Sequence, residues 1–243
     1  MIDFKISGVI GLVELTNVRN WPGWAILVYC GIISLVLDMT SDMVDRKHFN
    51  QVCAFAQQYN ISFTRDEFEI IRKNTRYMVL PPHTVLMEQG KLVKQMYFMI
   101  RGIARLFRIH DGVDHTLGIE STNYFLSTPL LLQNGQESTC ALESLSEMEV
   151  LVWDLASVTL LKEEVPRMKD MEMAIMDRLL GWLQDNQVES RCMTAEERYY
   201  KLMEAQPKVI QTVPQKYIAS LLGIHQDSLS RIRKGLGQRG QIR

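Results

Sequence analysis

A chain of 243 residues that is 47% hydrophobic and 23% charged can bury one large core or two ordinary ones, which excludes both a disordered polymer and a multi-span membrane protein. The net charge of −1 points to no partner, but its placement is uneven. From Ala195 to the end nine Lys and Arg stand against four Asp and Glu, whereas the residues before it hold 18 against 24; a basic end on an acidic body suits contact with a polyanion, and equally a solvated terminal helix.

The N-terminal stretch WAILVYCGIISLVLDM (24–39) is apolar over about 14 residues, short of the ~20 that span a bilayer as a helix. Three readings stand open: a buried strand or helix, a weak membrane anchor, or residues upstream of a later start at Met39 or Met43. From Phe49 to Arg76 the pattern turns helical, with Phe49, Val52, Phe55 and Ala56 at helical spacing and Ser62 or Thr64 as the cap of a second helix with acids in its first turn. Between Tyr77 and Asp154 the period becomes two, punctuated by Gly90, Gly102 and Gly112. Asp111-Gly112 marks a tight hairpin, and short strands at regular spacing predict an antiparallel barrel or roll.

The helical period then returns. Residues 165–193 place Met171, Ile175, Leu179, Leu180 and Leu183 at three- and four-residue steps, with Pro166 in the first turn. Such a helix is about 40 Å long. Its apolar stripe suits either a second copy of the chain or the roll; Met171, Ile175, Leu179 and Leu183 are the candidate dimer contacts.

The segment VPQKYIASLLGIHQDSLSRIRKGL (213–236) reads as two short helices around a glycine. Pro214 suits a first turn, Tyr217, Ile218, Leu221 and Leu222 form an inward stripe, and Gly223 stands where a left-handed backbone is needed. Ile224, Leu229 and Ile232 continue the buried side, leaving Gln226, Asp227, Ser228, Ser230, Arg231 and Lys234 on a polar, basic face. This is a helix-turn-helix pattern; packed surface helices share the bare helix–Gly–helix signal. The major groove admits one helix, where Gln reads adenine and Arg reads guanine or holds a phosphate; Arg233, Lys234 and Arg239 are placed for phosphates.

This segment resembles the helix-turn-helix of the Crp/Fnr family of bacterial transcription regulators. AEERYYKLMEAQP (195–207) resembles the helix leading into it, and LPPHTVLMEQGKLVKQMYFMIRGIARLF (80–107) resembles the family's cyclic-nucleotide-binding-type β-roll, with Gly90, Tyr97, Phe98 and Gly102 at matching places. Residues 165–193 match the dimerisation helix, and the likeness extends over roughly residues 45 to 243. It implies an α+β chain: an N-terminal extension (1–44), an antiparallel β-roll of the double-stranded β-helix type (45–160), a dimerisation helix (161–193) and a C-terminal winged helix-turn-helix (194–243). It implies that Gln226, Asp227, Ser228 and Arg231 face bases or adjacent phosphates of double-stranded DNA, that the protein is a homodimer, and that RNA polymerase is a further partner. His225 stands where the family often has a Ser or Thr cap, and His caps less well.

Cyclic-nucleotide binders of the family carry a Gly-Glu pair for the ribose and an Arg-Ser or Arg-Thr pair for the phosphate. Here Ser138-Thr139 takes that second place with Glu137 instead of arginine. A carboxylate repels an anionic phosphate, so cAMP is not the expected effector, and Ser138 and Thr139 are effector-pocket candidates or simple strand residues. His83, His110 and His115 are haem-ligand candidates by residue type only and suit surface turns. Cys30, Cys53, Cys140 and Cys192 have no metal-binding spacing and fit a reducing cytoplasm. No signature of an enzyme, metal site or cofactor is present. The expectation is a cytoplasmic, membrane-independent DNA-binding regulator. The alternative is a regulatory module of the same fold that acts through protein contacts.

Overall fold

The structure, a computed structural model, describes residues 44–127, 132 and 134–240, with side chains beyond Gly235 left out. The readings of residues 24–39, and the extension apart from Val44, lie outside these.

A 3-10 turn at Arg46–Phe49 leads into α1 (Asn50–Gln58) and α2 (Arg65–Lys73). Thr64 caps α2 through a reciprocal box: its hydroxyl accepts from the Glu67 amide, and the Glu67 carboxylate accepts from the Thr64 amide. Eight strands follow: β1 (Arg76–Leu80), β2 (Val85–Met87), β3 (Gln95–Arg101), β4 (Ile103–His110), β5 (Val113–Ser121), β6 (Tyr124–Phe125), β7 (Ala141–Ser144) and β8 (Met148–Asp154). They form two four-stranded antiparallel sheets, in the orders β1-β8-β3-β6 and β2-β7-β4-β5. Asp111 and Gly112 both take positive φ and close the β4–β5 hairpin in two residues.

Alternation along the strands explains both cores. On β3, Tyr97 and Met99 point between the sheets with Val150, Val152 and Leu142, whereas Met96 and Phe98 point outward. That outer face is covered by Phe49, Val52 and Phe55, by Phe68 and Ile71, and by α3 (Leu155–Glu164) and α4 (Met168–Cys192) through Leu161, Met171 and Ile175. Burial of each such side chain contributes about 1.5–3 kcal/mol, so the helices are fastened to the roll by apolar contact on its back.

The helix expected over 165–193 begins at Met168; Pro166 sits in the turn before it. After α4 come α5 (Ala195–Ala205), α6 (Pro207–Thr212), α7 (Gln215–Leu221) and α8 (Gln226–Gly240). The described residues end with α8. No helix among them is long and apolar enough to cross a membrane.

Candidate nucleic-acid interface

The C-terminal helices gather around an apolar centre that includes Ile103 of β4 and Ile119 of β5. A second capping box, Thr194 with Glu197, starts α5. Tyr199, Val209, Val213, Ile218, Ala219, Leu222 and Leu229 are buried together, with Ile224 and Ile232 packed against them. The turn between α7 and α8 has a specific cause. Gly223 has φ +66°, its amide donates to the Ser220 carbonyl, and the Ile224 amide donates to the Ala219 carbonyl, both at 3.0 Å. This pair of bonds with a left-handed glycine is a Schellman C-cap, and Ile224 is its apolar plug. His225 starts α8: its Nδ1 accepts from the Asp227 amide at 3.4 Å, a longer bond than a hydroxyl cap makes.

At 100° per residue, Leu229 and Ile232 set the inward side of α8. Gln226, Asp227, Ser230, Arg231 and Lys234 then face away from the body; all are exposed except Ser230, which is half-buried. Ser228 is half-buried at one flank of that face, and Arg233 is exposed at the other. The seven sequence-derived candidates thus share one helix, five on its outer face and two at its margins. Arg239 lies on the last turn, beyond the described side chains. The outer face and its margins together offer two guanidinium groups, an ammonium, an amide, a carboxylate and two hydroxyls, a set matched to base edges and phosphates.

The other candidates fall elsewhere. Ser138 is buried, its hydroxyl donating to the Cys140 carbonyl at 2.7 Å and accepting from the Cys140 amide at 3.2 Å; Thr139 is exposed. Neither lines the cavity inside the roll. That cavity, about 90 Å³, lies between the second sheet and α4, walled by Phe55, Leu106, Tyr124, Phe125, Leu142 and Ile175. Its polar members are Glu120, Ser127, Arg178 and Trp182. The Trp182 indole donates to Glu120 at 2.9 Å. Burial pushes the Glu120 carboxyl up to about 7, against the opposing pull of the indole bond and Arg178. Burial, and then the Glu120 charge, push the Tyr124 phenol up. Gly118 permits the approach of Trp182, because a Cβ there would lie 3.0 Å from the indole.

The four residues expected at a dimer seam divide between two environments. Met171 and Ile175 are buried in the roll's own core, Leu179 is half-buried beside the cavity, and Leu183 is exposed. On the opposite side of α4, Met173, Leu180 and Leu183 are exposed and Met176 is half-buried. These four recur at steps of three and four residues. His83, His110 and His115 are exposed, and among the described residues no cluster of His, Cys, Asp and Glu is placed to hold a metal.

One residue on the interface between roll and C-terminal helices lies outside the sequence-derived candidates. Arg105, on β4, is 2% exposed. Its Nη1 and Nη2 donate to the two oxygens of Asp114 at 2.9 Å, Nε donates to Glu143 at 2.7 Å, and Nη1 also reaches the Thr116 hydroxyl at 3.1 Å. An arginine between Ile103 and Phe107 in an alternating apolar strand was the available hint.

No protein-family model and no curated protein matches this sequence. Solved structures do. The c-di-GMP-responsive global regulator CLP of Xanthomonas campestris aligns with a TM-score of 0.58 at 16% identity, over 73% of this chain and 93% of that one. FixK2 of Bradyrhizobium japonicum aligns with a TM-score of 0.60 at 14% identity, over 68% and 86%. A Crp/Fnr-family putative transcriptional regulator of Eubacterium rectale aligns with a TM-score of 0.59 at 10% identity, over 73% and 85%. At these identities the likeness is one of fold.

Proposed function

We propose that the protein is a sequence-specific, DNA-binding transcription regulator of Crp/Fnr type. The observation that carries this reading is the outer face of α8, where Gln226, Arg231 and Lys234 are exposed on a helix held by a Schellman turn. In this reading Gln226 and Arg231 meet base edges, Ser228 and Ser230 meet bases or phosphates, and Arg233 and Lys234 neutralise phosphates. Asp227 accepts from a cytosine amine.

The working unit is a homodimer. Because Met171 and Ile175 are already covered by the roll, the seam falls on the opposite side of α4, at Met173, Met176, Leu180 and Leu183, a spacing that suits a paired helix. RNA polymerase is a partner by family likeness. The chain is not an enzyme.

Control by an effector other than cAMP fits the roll. The phosphate-binding arginine is missing beside Ser138, whose hydroxyl is already engaged. Glu120 borders both an open cleft of about 730 Å³ and a smaller cavity far below the ~300 Å³ at which ordinary ligand pockets begin. A small, largely apolar molecule with a donor for the Glu120 carboxyl suits it better. Selection of bound sequences from a random DNA pool tests the reading. A pseudo-palindromic site is expected, and a pool with no enriched sequence at low ionic strength overturns it.

A further inference from the structure

The helix-turn-helix is clamped to the roll, and the clamp is built on β4 and β5. β5 is an edge strand of its sheet, and an edge offers unpaired backbone groups. Here the C-terminal helices take them. The Thr116 amide donates to the Ser220 hydroxyl at 2.9 Å, and the Ile119 carbonyl accepts from Gln206 at 3.2 Å. The Ser121 hydroxyl adds a bond to the Gln206 side chain at 2.9 Å. Ile103 and Ile119 are buried in the apolar cluster of the helix-turn-helix itself.

At the centre stands Arg105. The edges of its guanidinium are occupied by Asp114, Glu143 and Thr116. Its flat faces are occupied by rings: Phe107 of the same strand at 4.1 Å and Tyr217 of α7 at 3.8 Å. Asp114 and Glu143 therefore orient the guanidinium, and its remaining face receives an aromatic side chain from the first helix of the helix-turn-helix. Lysine has neither the plane nor the fork for this arrangement.

The two strands also present a second face. On β4, Ile103 and Arg105 face the helix-turn-helix, while Ala104 and Leu106 line the cavity. On β5, the irregularity at Leu117 keeps Ile119 toward the helices and Gly118 and Glu120 toward the cavity. One hairpin thus separates the cavity from α7, with no intervening layer.

We infer that Arg105, acting through Tyr217, is the residue that positions the helix-turn-helix, so that the orientation of α8 follows the β4–β5 hairpin rather than a free hinge after α4. The DNA consequence rests on the function proposed above; the clamp itself does not. The pair of variants Tyr217→Leu and Tyr217→Phe in the full chain tests both. Leucine fills the site without a π face, and phenylalanine keeps the ring.

Amide hydrogen exchange of Thr116 reads the docking directly, because its N–H donates to α7. Expected for Tyr217→Leu is Thr116 exchange faster by at least about tenfold, with the Leu222 and Ile224 amides unchanged and DNA affinity lower by about tenfold. Tyr217→Phe is expected to behave as the parent in all three. Unchanged Thr116 exchange in Tyr217→Leu overturns the inference. So does faster exchange at Leu222 and Ile224, which would make Tyr217 only a core residue of the helix-turn-helix. Altered exchange with unaltered affinity of a DNA-binding parent also refutes positioning. If the parent binds no DNA while Thr116 responds as expected, the clamp stands and the DNA reading falls.

Discussion

At the scale of single residues, Glu120 shows how far the fold changes a side chain's chemistry. Its carboxyl keeps its proton to about pH 7 in the folded chain, against an ordinary value of 4.5. The folded state therefore holds more protons than the unfolded one between those values. The stabilisation is complete below about pH 4.5 and is lost as pH rises through 7, on the order of 3 kcal/mol. Chemical denaturation across that range should show this slope, and Glu120→Gln should flatten it. Two residues on α8 separate reading from holding. Arg231→Ala should cost about 1–3 kcal/mol of DNA affinity and relax preference at one base position. Lys234→Ala should weaken all sequences alike and reduce the salt slope by about two, one for each subunit of the dimer. Fluorescence anisotropy on matched and mismatched duplexes measures both.

At the scale of elements, the junction from β3 to β4 has little tolerance. Gly102 has φ +126°, and a Cβ there would meet the Met148 side chain at 2.4 Å and the Glu147 carbonyl at 2.9 Å. Gly102→Ala should destabilise the roll by about 1–3 kcal/mol or more, read by thermal unfolding. The long helix α4 has two apolar stripes on opposite sides, and the sequence pattern alone does not say which is free. Met171 and Ile175 are used against the roll because β3 and β8 present Met96, Phe98, Leu151 and Trp153 outward. The outward stripe through Met173 and Leu180 is what remains for a second copy. Leu180→Glu should shift the protein to monomers in sedimentation velocity at micromolar concentration, while Leu179→Val, beside the cavity, should leave the assembly intact. A polar charge placed at such a seam costs its own burial as well as the lost apolar contact.

At the scale of the whole molecule, the proposed dimer sets a ruler through its two copies of α8. Two half-sites about 34 Å apart, one turn of duplex, are expected on a pseudo-palindrome. Inserting five base pairs between the half-sites should rotate one to the opposite side and abolish cooperative binding. With roughly four to six phosphates neutralised per dimer, log affinity should fall against log salt with a slope of about −4 to −5.

The succession of parts was legible along the chain because each has a local cause. A change of hydrophobic period marks helix against strand, Asp111-Gly112 closes a hairpin at once, Thr64 and Glu67 start a helix, and Gly223 ends one before α8. These depend on neighbours three or four residues away, so reading the text suffices. Three features needed the tertiary structure, because each joins residues far apart in the chain. The side of α4 already covered depends on strands that precede it by some twenty to seventy residues. The raised Glu120 carboxyl depends on Trp182, 62 positions later. The Arg105 clamp assembles Asp114, Glu143 and Tyr217 around a charge that, in the text alone, sits in an apolar strand like any other exposed arginine. Burial and electrostatics are properties of the folded surroundings, and only those surroundings decided what these side chains do.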